Sequence, residues 1–192
     1  MRLQISDDLF QSILPDIPVR ILRALAEVES NGKGWENDRP KIRFENHLFL
    51  DKCPDALGTF FVDRGVKRWT NHQFMTDEGI KFTHESQETE LKALNLAKNI
   101  CFEAAFESIS IGTFQLHTMH YKEIGFPSAF LMYAFMSESP ERELEVLRKF
   151  IQITPGLKEA LVAEDLEAIH QIWNSGNQAW LDRLKYVWSK LG

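Results

Sequence analysis

The sequence has few cysteines and no long apolar run, and both absences limit what the chain can be. Its two cysteines, Cys53 and Cys101, form no Cys-x-x-Cys pair, so the sequence lacks a thiol-redox motif. We expect both to be free thiols, with a single bridge between them as the alternative. Apolar residues make up 44% of the chain, but no run of about 18 of them occurs, so no membrane insertion is predicted.

Positive charge is also in short supply. The 22 lysines and arginines are outnumbered by 28 acidic residues, giving a net charge of -6, which argues against nucleic acid as the main ligand. Asp7 and Asp8 interrupt the N-terminal segment too early for the apolar region of a secretory signal. We therefore expect a protein made in the cytoplasm. We also expect a monomer with a single domain over residues 1–192, since the chain shows no repeat or linker.

The hydrophobic periodicity predicts an α+β fold that is mostly helical, with one small β region. Helices are expected at 16–30 and at about 87–107, after Ser139-Pro140 and after Pro155-Gly156, with Asn177 capping the last one. Residues 41–49 alternate as a half-exposed strand, with 59–62 and 67–70 as its partners around a turn at 63–65. Ser110 is expected to cap a helix that carries Gly112 and Gln115 in its first turn.

A glutamate near the end of the first of these helices, Glu29, is the strongest candidate for catalysis. At roughly 100° per residue it falls on the apolar side of the helix, just before Asn31-Gly32 ends it. Partial desolvation there would raise the pKa of the carboxyl group. A protonated carboxylic acid is what a general acid for glycosidic cleavage requires. The alternative is a helix-end side chain that turns to solvent.

A second carboxylate, Glu45, is expected to project with His47 from one face of the 41–49 strand. Hydrolysis of a glycoside requires such a group opposite the acid. A separation of about 6.5–9.5 Å would predict inversion of configuration, and about 5–5.5 Å would predict a covalent intermediate. An ion pair with Lys41, Arg43 or His47 is the structural alternative for Glu45.

Four segments taken in order resemble the phage-type N-acetylmuramidase domains of endolysins, relatives of goose-type lysozymes and lytic transglycosylases. They are Val28-Glu29-Ser30, the stretch from Arg39 to His47, the stretch from Glu107 to Gln115, and Trp173-Asn174-Ser175-Gly176. The resemblance spans about residues 18 to 191 and is patchy between 52 and 85. It implies a lysozyme-like fold with a small β-hairpin or sheet beside the catalytic helix. It also implies cleavage of the β-1,4 bond between N-acetylmuramic acid and N-acetylglucosamine in peptidoglycan, with no cofactor.

The resemblance assigns roles to individual positions. Glu29 matches the residue that protonates the glycosidic oxygen, and Gly112 and Gln115 match the turn that contacts N-acetyl groups. Trp173 and Asn174 match residues that line the cleft, with core packing as the alternative for Trp173. The full set of predicted sugar-contacting residues is His47, Gly112, Phe114, Gln115, Tyr121, Trp173 and Asn174. His117 and His120 have a spacing that can bind a metal, but no third ligand lies nearby, so no metal site is predicted.

The sequence departs from the family at two positions and in one segment, residues 77–84, which replaces the Gly-Tyr-rich turn that usually precedes the long helix. Ile111 stands where members usually carry Trp, and Trp173 replaces a Tyr. Three alternatives to a hydrolase remain open: a lytic transglycosylase, in which the muramic 6-hydroxyl replaces water; a non-catalytic peptidoglycan-binding module; and a helical interaction protein. A cell-wall enzyme made in the cytoplasm would need a holin lesion or an injection machine to reach its substrate.

Overall fold

Helices dominate the computed structural model, which describes residues 5–54, 56, 73–76, 79–82 and 84–191, with backbone alone for 73–76 and 79–82. The expected strands at 59–62 and 67–70 and the turn at 63–65 lie outside the described residues. Two compact units are present. The first comprises Met1–Pro40, Gly112–Phe114 and Phe135–Gly192, and the second comprises Lys41–Ile111 and Gln115–Ala134.

The first unit is built mainly from helices around an apolar core. In chain order its elements are α1 (Asp7–Ile13), α2 (Val19–Ser30), the two-stranded β1 (Trp35–Glu36) and β2 (Arg39–Pro40), α8 (Pro140–Ile153), α9 (Leu157–Val162), α10 (Leu166–Trp173) and α11 (Gln178–Lys190). Helix α2 packs against α11, and α1 packs against α8. The core side chains include Phe10, Ile21, Leu22, Leu25, Leu144, Leu147, Leu161, Ile169 and Leu184.

Local sequence signals set the ends of these helices as predicted. Helix α2 stops at Asn31, which adopts the left-handed conformation (φ 54°) and returns its N–H to the Ala26 and Glu27 carbonyls. Ser139 caps α8 by accepting the Arg142 N–H, ahead of Pro140. Asn177 caps α11 by accepting the Trp180 N–H. These three predictions are confirmed.

The second unit contains a three-stranded antiparallel sheet in the order β3 (Ile42–Phe44), β6 (Ile109–Ile111), β7 (Leu116–His117). Its other elements are α3 (Asn46–Lys52), the hairpin β4 (Gln73–Thr76) and β5 (Gly79–Phe82), α4 (Gln87–Ile100), α5 (Phe102–Phe106), α6 (Tyr121–Ile124) and the start of α7 (Ala129–Met136). Arg43 pairs with Ser110, and Ser110 pairs with His117 on the next strand.

Side chains of α4 satisfy the backbone of the edge strand β3. The Gln87 amide accepts the Ile42 N–H at 2.9 Å and donates to the Ile42 carbonyl at 2.8 Å. Glu90 accepts the Phe44 N–H at 2.7 Å. Because an edge strand otherwise leaves these groups unpaired, the helix holds β3 in place and protects it from other chains.

Three sequence predictions about elements are wrong. The strand expected over 41–49 ends at Phe44, because helix α3 begins at Asn46 and buries Asn46 and Phe49 with helical spacing. Ser110 does not cap a helix, since it lies in the middle of β6, and 112–115 form the loop between β6 and β7. The helix expected over 87–107 is broken at Cys101, where extended backbone separates α4 from α5.

The structure also bears on the cysteines and on membrane insertion. Cys53 and Cys101 form no disulfide, as expected. Across the described part of the chain, every helix is too short or too polar to cross a membrane.

Candidate active site

Glu29 lies in the last turn of α2 and is half-buried. Its Oε1 accepts two hydrogen bonds, from Trp173 Nε1 at 2.8 Å and from Trp180 Nε1 at 3.0 Å. The two indoles come from α10 and α11, so the carboxyl group is tied to two further helices of the first unit. A carboxyl held in this way has one fixed oxygen and one fixed plane.

Aromatic contacts hold both indoles in turn. The Trp173 ring meets Phe150 edge-on, with centroids 5.7 Å apart and an interplanar angle of 84°. The Trp180 ring is buried and stacks on His170 at 6.0 Å and 24°. Trp180 is a site residue that the sequence reasoning missed. The one local signal for it was its place in the first turn after the Asn177 cap.

Glu45 occupies the position that precedes α3. Its N–H donates to the Ser108 carbonyl at 2.8 Å, and its side chain is 12% exposed. Arg43 Nε lies 2.9 Å from Glu45 Oε1, and His47 Nδ1 lies 3.7 Å from Oε2. The expectation that Glu45 and His47 share one face of a strand is wrong, because the strand has already ended. The ion pair with Arg43, which was the structural alternative, is present.

The loop of residues 112–114 is anchored by a buried glutamate, Glu143 of α8. Glu143 Oε1 accepts the backbone N–H groups of Thr113 at 2.5 Å and Phe114 at 3.3 Å. Glu143 Oε2 accepts from Trp35 Nε1 at 2.6 Å and from Thr113 Oγ1 at 3.3 Å. Two backbone N–H groups in the turn that was expected to contact N-acetyl groups, those of Thr113 and Phe114, are therefore already bound to Glu143.

Two glycines, Gly34 and Gly112, allow neighbouring segments to pack closely around the 112–114 loop. Gly112 has φ +83°, and a Cβ there would lie 2.5 Å from the Glu143 carboxyl carbon. A Cβ on Gly34 would lie 2.1 Å from Thr113 Cα. Neither position leaves room for a side chain, because Gly112 lies against the Glu143 carboxyl group and Gly34 lies against the backbone and hydroxyl group of Thr113.

Burial raises the pKa of Glu143 from 4.5 to about 7, even though its hydrogen bonds from Trp35, Thr113 and Phe114 favour the charged form. Desolvation therefore disfavours the carboxylate more than its hydrogen bonds stabilise it. When protonated, the group can donate to Thr113 Oγ1 and still accept from Trp35.

This raised pKa predicts that the free energy of unfolding falls as pH rises. The folded state binds more protons than the unfolded chain between pH 4.5 and about 7, so the stabilisation present below pH 4.5 is lost through about pH 7. The shift from 4.5 to about 7 corresponds to roughly 3 kcal/mol. Thermal melting of the wild type and of Glu143→Gln between pH 4 and 9 measures this pH dependence. The difference in melting temperature between the two proteins should change with pH, and a constant difference would contradict the raised pKa of Glu143.

The remaining predicted site residues are placed as follows. Phe114 is completely buried and packs edge-on against Phe10 with centroids 6.1 Å apart, so its ring offers no surface to a sugar. Gln115 is half-buried with φ +46°, and Tyr121 is 8% exposed. Asn174 ends α10 and is half-buried, and the His47 side chain is 51% exposed.

Burial and neighbouring groups lower the pKa of His117 in the second unit. Burial, then the neighbouring His120, His47 and Arg43, lower the pKa of His117 to about 4. Burial also lowers the pKa of His120. His117 is therefore neutral at pH 7, at the end of the cross-strand row Arg43–Ser110–His117. Among the described residues, no group of histidines, cysteines or acids is arranged to hold a metal ion.

Comparison with known proteins identifies the family and the fold of this chain. The family model of N-acetylmuramidases matches residues 18–186. No curated protein matches the chain. The crystal structure of the Burkholderia AP3 phage endolysin is similar in fold, with a TM-score of 0.73 and 22% sequence identity. The similarity covers 98% of this chain and 71% of that one. The chain therefore belongs to the N-acetylmuramidase family and has the mostly helical, lysozyme-like α+β fold expected from its sequence.

Proposed function

We propose that this protein cleaves the β-1,4 bond between N-acetylmuramic acid and N-acetylglucosamine, with Glu29 as the general acid. Membership of the N-acetylmuramidase family supports a peptidoglycan-degrading function. The proposal that Glu29 is the acid rests on one observation: its carboxyl group, at a helix end, accepts hydrogen bonds from the Trp173 and Trp180 indoles. A carboxyl group fixed in this way at a helix end has the geometry expected of a glycosidic acid.

The proposed chemistry follows from the state of each group. Glu29 gives its proton to the glycosidic oxygen as the bond to the anomeric carbon breaks, and the positive charge develops on the sugar ring. Glu29 is left as a carboxylate, which accepts both indole N–H groups. The anomeric carbon is then attacked by water in a hydrolase, or by the muramic 6-hydroxyl in a transglycosylase.

Glu45 is the proposed base for the attacking water. Its carboxyl group lies beside Arg43 and His47, and a base of this kind has to be ionised to accept a proton. These same contacts also fit a purely structural ion pair. A substitution that removes the charge of Glu45 and keeps the shape of its side chain therefore tests its role as a base.

Glu45→Gln is expected to lower hydrolysis by roughly 10² to 10⁴-fold if Glu45 is the base. The measurement is the release of reducing muramic ends from purified peptidoglycan, followed by mass spectrometry. Glu107→Gln is a suitable control, because Glu107 is another glutamate of the second unit that pairs with a surface lysine, Lys52, at 2.6 Å. Undiminished cleavage by Glu45→Gln would show that Glu45 is not an essential base.

The same digest tests the proposed function as a whole. Reducing muramic ends from the wild type would establish a hydrolase, and anhydro-muramic ends would establish a transglycosylase. Glycan strands left intact would reject the proposal for that substrate. We also propose that the protein acts as a monomer on peptidoglycan after release or injection, and size-exclusion chromatography with light scattering tests the monomer.

A further inference from the structure

The two hydrogen bonds on Glu29 fall on the same oxygen. Trp173 Nε1 and Trp180 Nε1 lie 2.8 Å and 3.0 Å from Glu29 Oε1. An indole N–H donates and cannot accept, so Oε1 has to be an acceptor whatever the protonation state of the carboxyl group. The acidic proton of Glu29, when present, is therefore carried by Oε2.

We propose that Trp173 and Trp180 are positioning residues that, by donating to Glu29 Oε1, place its proton on Oε2 and stabilise the carboxylate left after proton transfer. This inference rests on the proposed function of Glu29 as the acid. It gives Trp173 a role that differs from the predicted contact with a sugar face. It also adds Trp180, which no sequence motif pointed to.

The surroundings of the two rings support positioning over simple packing. Each ring is held by its own aromatic neighbour, Trp173 by Phe150 and Trp180 by His170. Their N–H edges nevertheless converge on one atom from two different helices. Packing alone requires only that each buried indole N–H finds some acceptor, and it does not require both to share the same carboxyl oxygen.

The two donors act more strongly in the transition state than in the ground state. Glu29 is neutral before it gives up its proton and becomes negative as the glycosidic bond breaks. Hydrogen bonds to a charged acceptor are about twice as strong as those to a neutral one. Loss of one donor should therefore reduce kcat and leave KM nearly unchanged.

The test compares Trp173→Phe and Trp180→Phe with the wild type on a soluble peptidoglycan fragment. Phenylalanine keeps an aromatic ring and removes the N–H. Each variant is expected to lose roughly ten- to a hundredfold in kcat with little change in KM. The alkaline limb of the kcat profile should also move to higher pH, because the carboxylate has lost a donor.

Trp188→Phe is the matched control. Trp188 lies in α11 like Trp180 and is half-buried, but its ring packs under the Arg20 guanidinium at 3.5 Å. This variant should keep the kcat and the pH profile of the wild type. If all three variants behave alike while the wild type cleaves and Glu29→Gln does not, the positioning role is wrong and the proposed function stands. If the wild type cleaves no glycan, both fail.

A second measurement requires no tryptophan variant, in case either one does not fold. The indole N–H signals of Trp173 and Trp180 in ¹⁵N-labelled protein should both follow the titration of one carboxyl group. In Glu29→Gln these two signals should lose that pH dependence. Indole signals that titrate identically with and without Glu29 would overturn the proposal.

Discussion

Glu29→Gln is expected to lower the rate of peptidoglycan cleavage by roughly 10² to 10⁴-fold. Glutamine keeps the shape of the side chain, and its amide oxygen can still accept the Trp173 and Trp180 N–H groups. It has no acidic proton to give to the glycosidic oxygen, so the fold should survive while the chemistry stops. Release of glycan fragments from purified peptidoglycan measures the rate, and thermal melting verifies the fold.

Glu27→Gln provides the control within the same helix. Glu27 is exposed on the polar face of α2, where Arg183 contacts its carbonyl oxygen and not its carboxyl group. Its substitution removes the same charge from the same helix and should leave the rate within about twofold, since an exposed carboxylate contributes little. Equal losses in the two variants would point to helix stability instead of acid catalysis.

Glu143→Ala is expected to destabilise the protein by roughly 3–5 kcal/mol. The substitution leaves the Thr113 and Phe114 N–H groups and the Trp35 indole N–H buried without an acceptor. It also opens a cavity under the 112–114 loop, because Glu143 is completely buried. Chemical denaturation measured by circular dichroism gives the change in the free energy of unfolding.

Glu141→Ala is the comparison for this substitution. Glu141 lies in the first turn of the same helix, α8, and is exposed. Its loss should cost less than about 1 kcal/mol through the helix dipole alone. A Glu143→Ala variant no less stable than Glu141→Ala would contradict the view that Glu143 anchors the loop.

The sequence predicted the Glu29 helix well because its signals are local. The apolar spacing through Ile21, Leu25 and Val28 and the Asn31-Gly32 stop lie within a few residues of one another. The caps at Ser139 and Asn177 are equally local and were equally reliable. Periodicity predicted the α+β class and placed Glu29 on the apolar side of its helix, and the order of the family motifs added the lysozyme-like fold and the proposed role of Glu29 as the acid.

The environment of the site was beyond sequence reasoning because it depends on distant contacts. Trp180 meets Glu29 across 151 residues of chain, and Trp35 meets Glu143 across 108. In the sequence, Glu143 is one of several acidic residues at the start of a helix, where exposure to solvent is expected. Only the structure shows that it is buried. The strand at 42–44 was recognised, but three residues of alternation could not reveal that a helix follows at Asn46.

The most direct test of the account is digestion of purified peptidoglycan in ¹⁸O-labelled water by the wild type and by Glu29→Gln. The account predicts new muramic reducing ends that carry one ¹⁸O atom with the wild type, and none with the variant. Unlabelled anhydro ends from the wild type alone would show that the reaction is transglycosylation and not hydrolysis, with Glu29 still as the acid. Intact glycan with both proteins, or labelled ends with both, would contradict the claim that Glu29 drives cleavage.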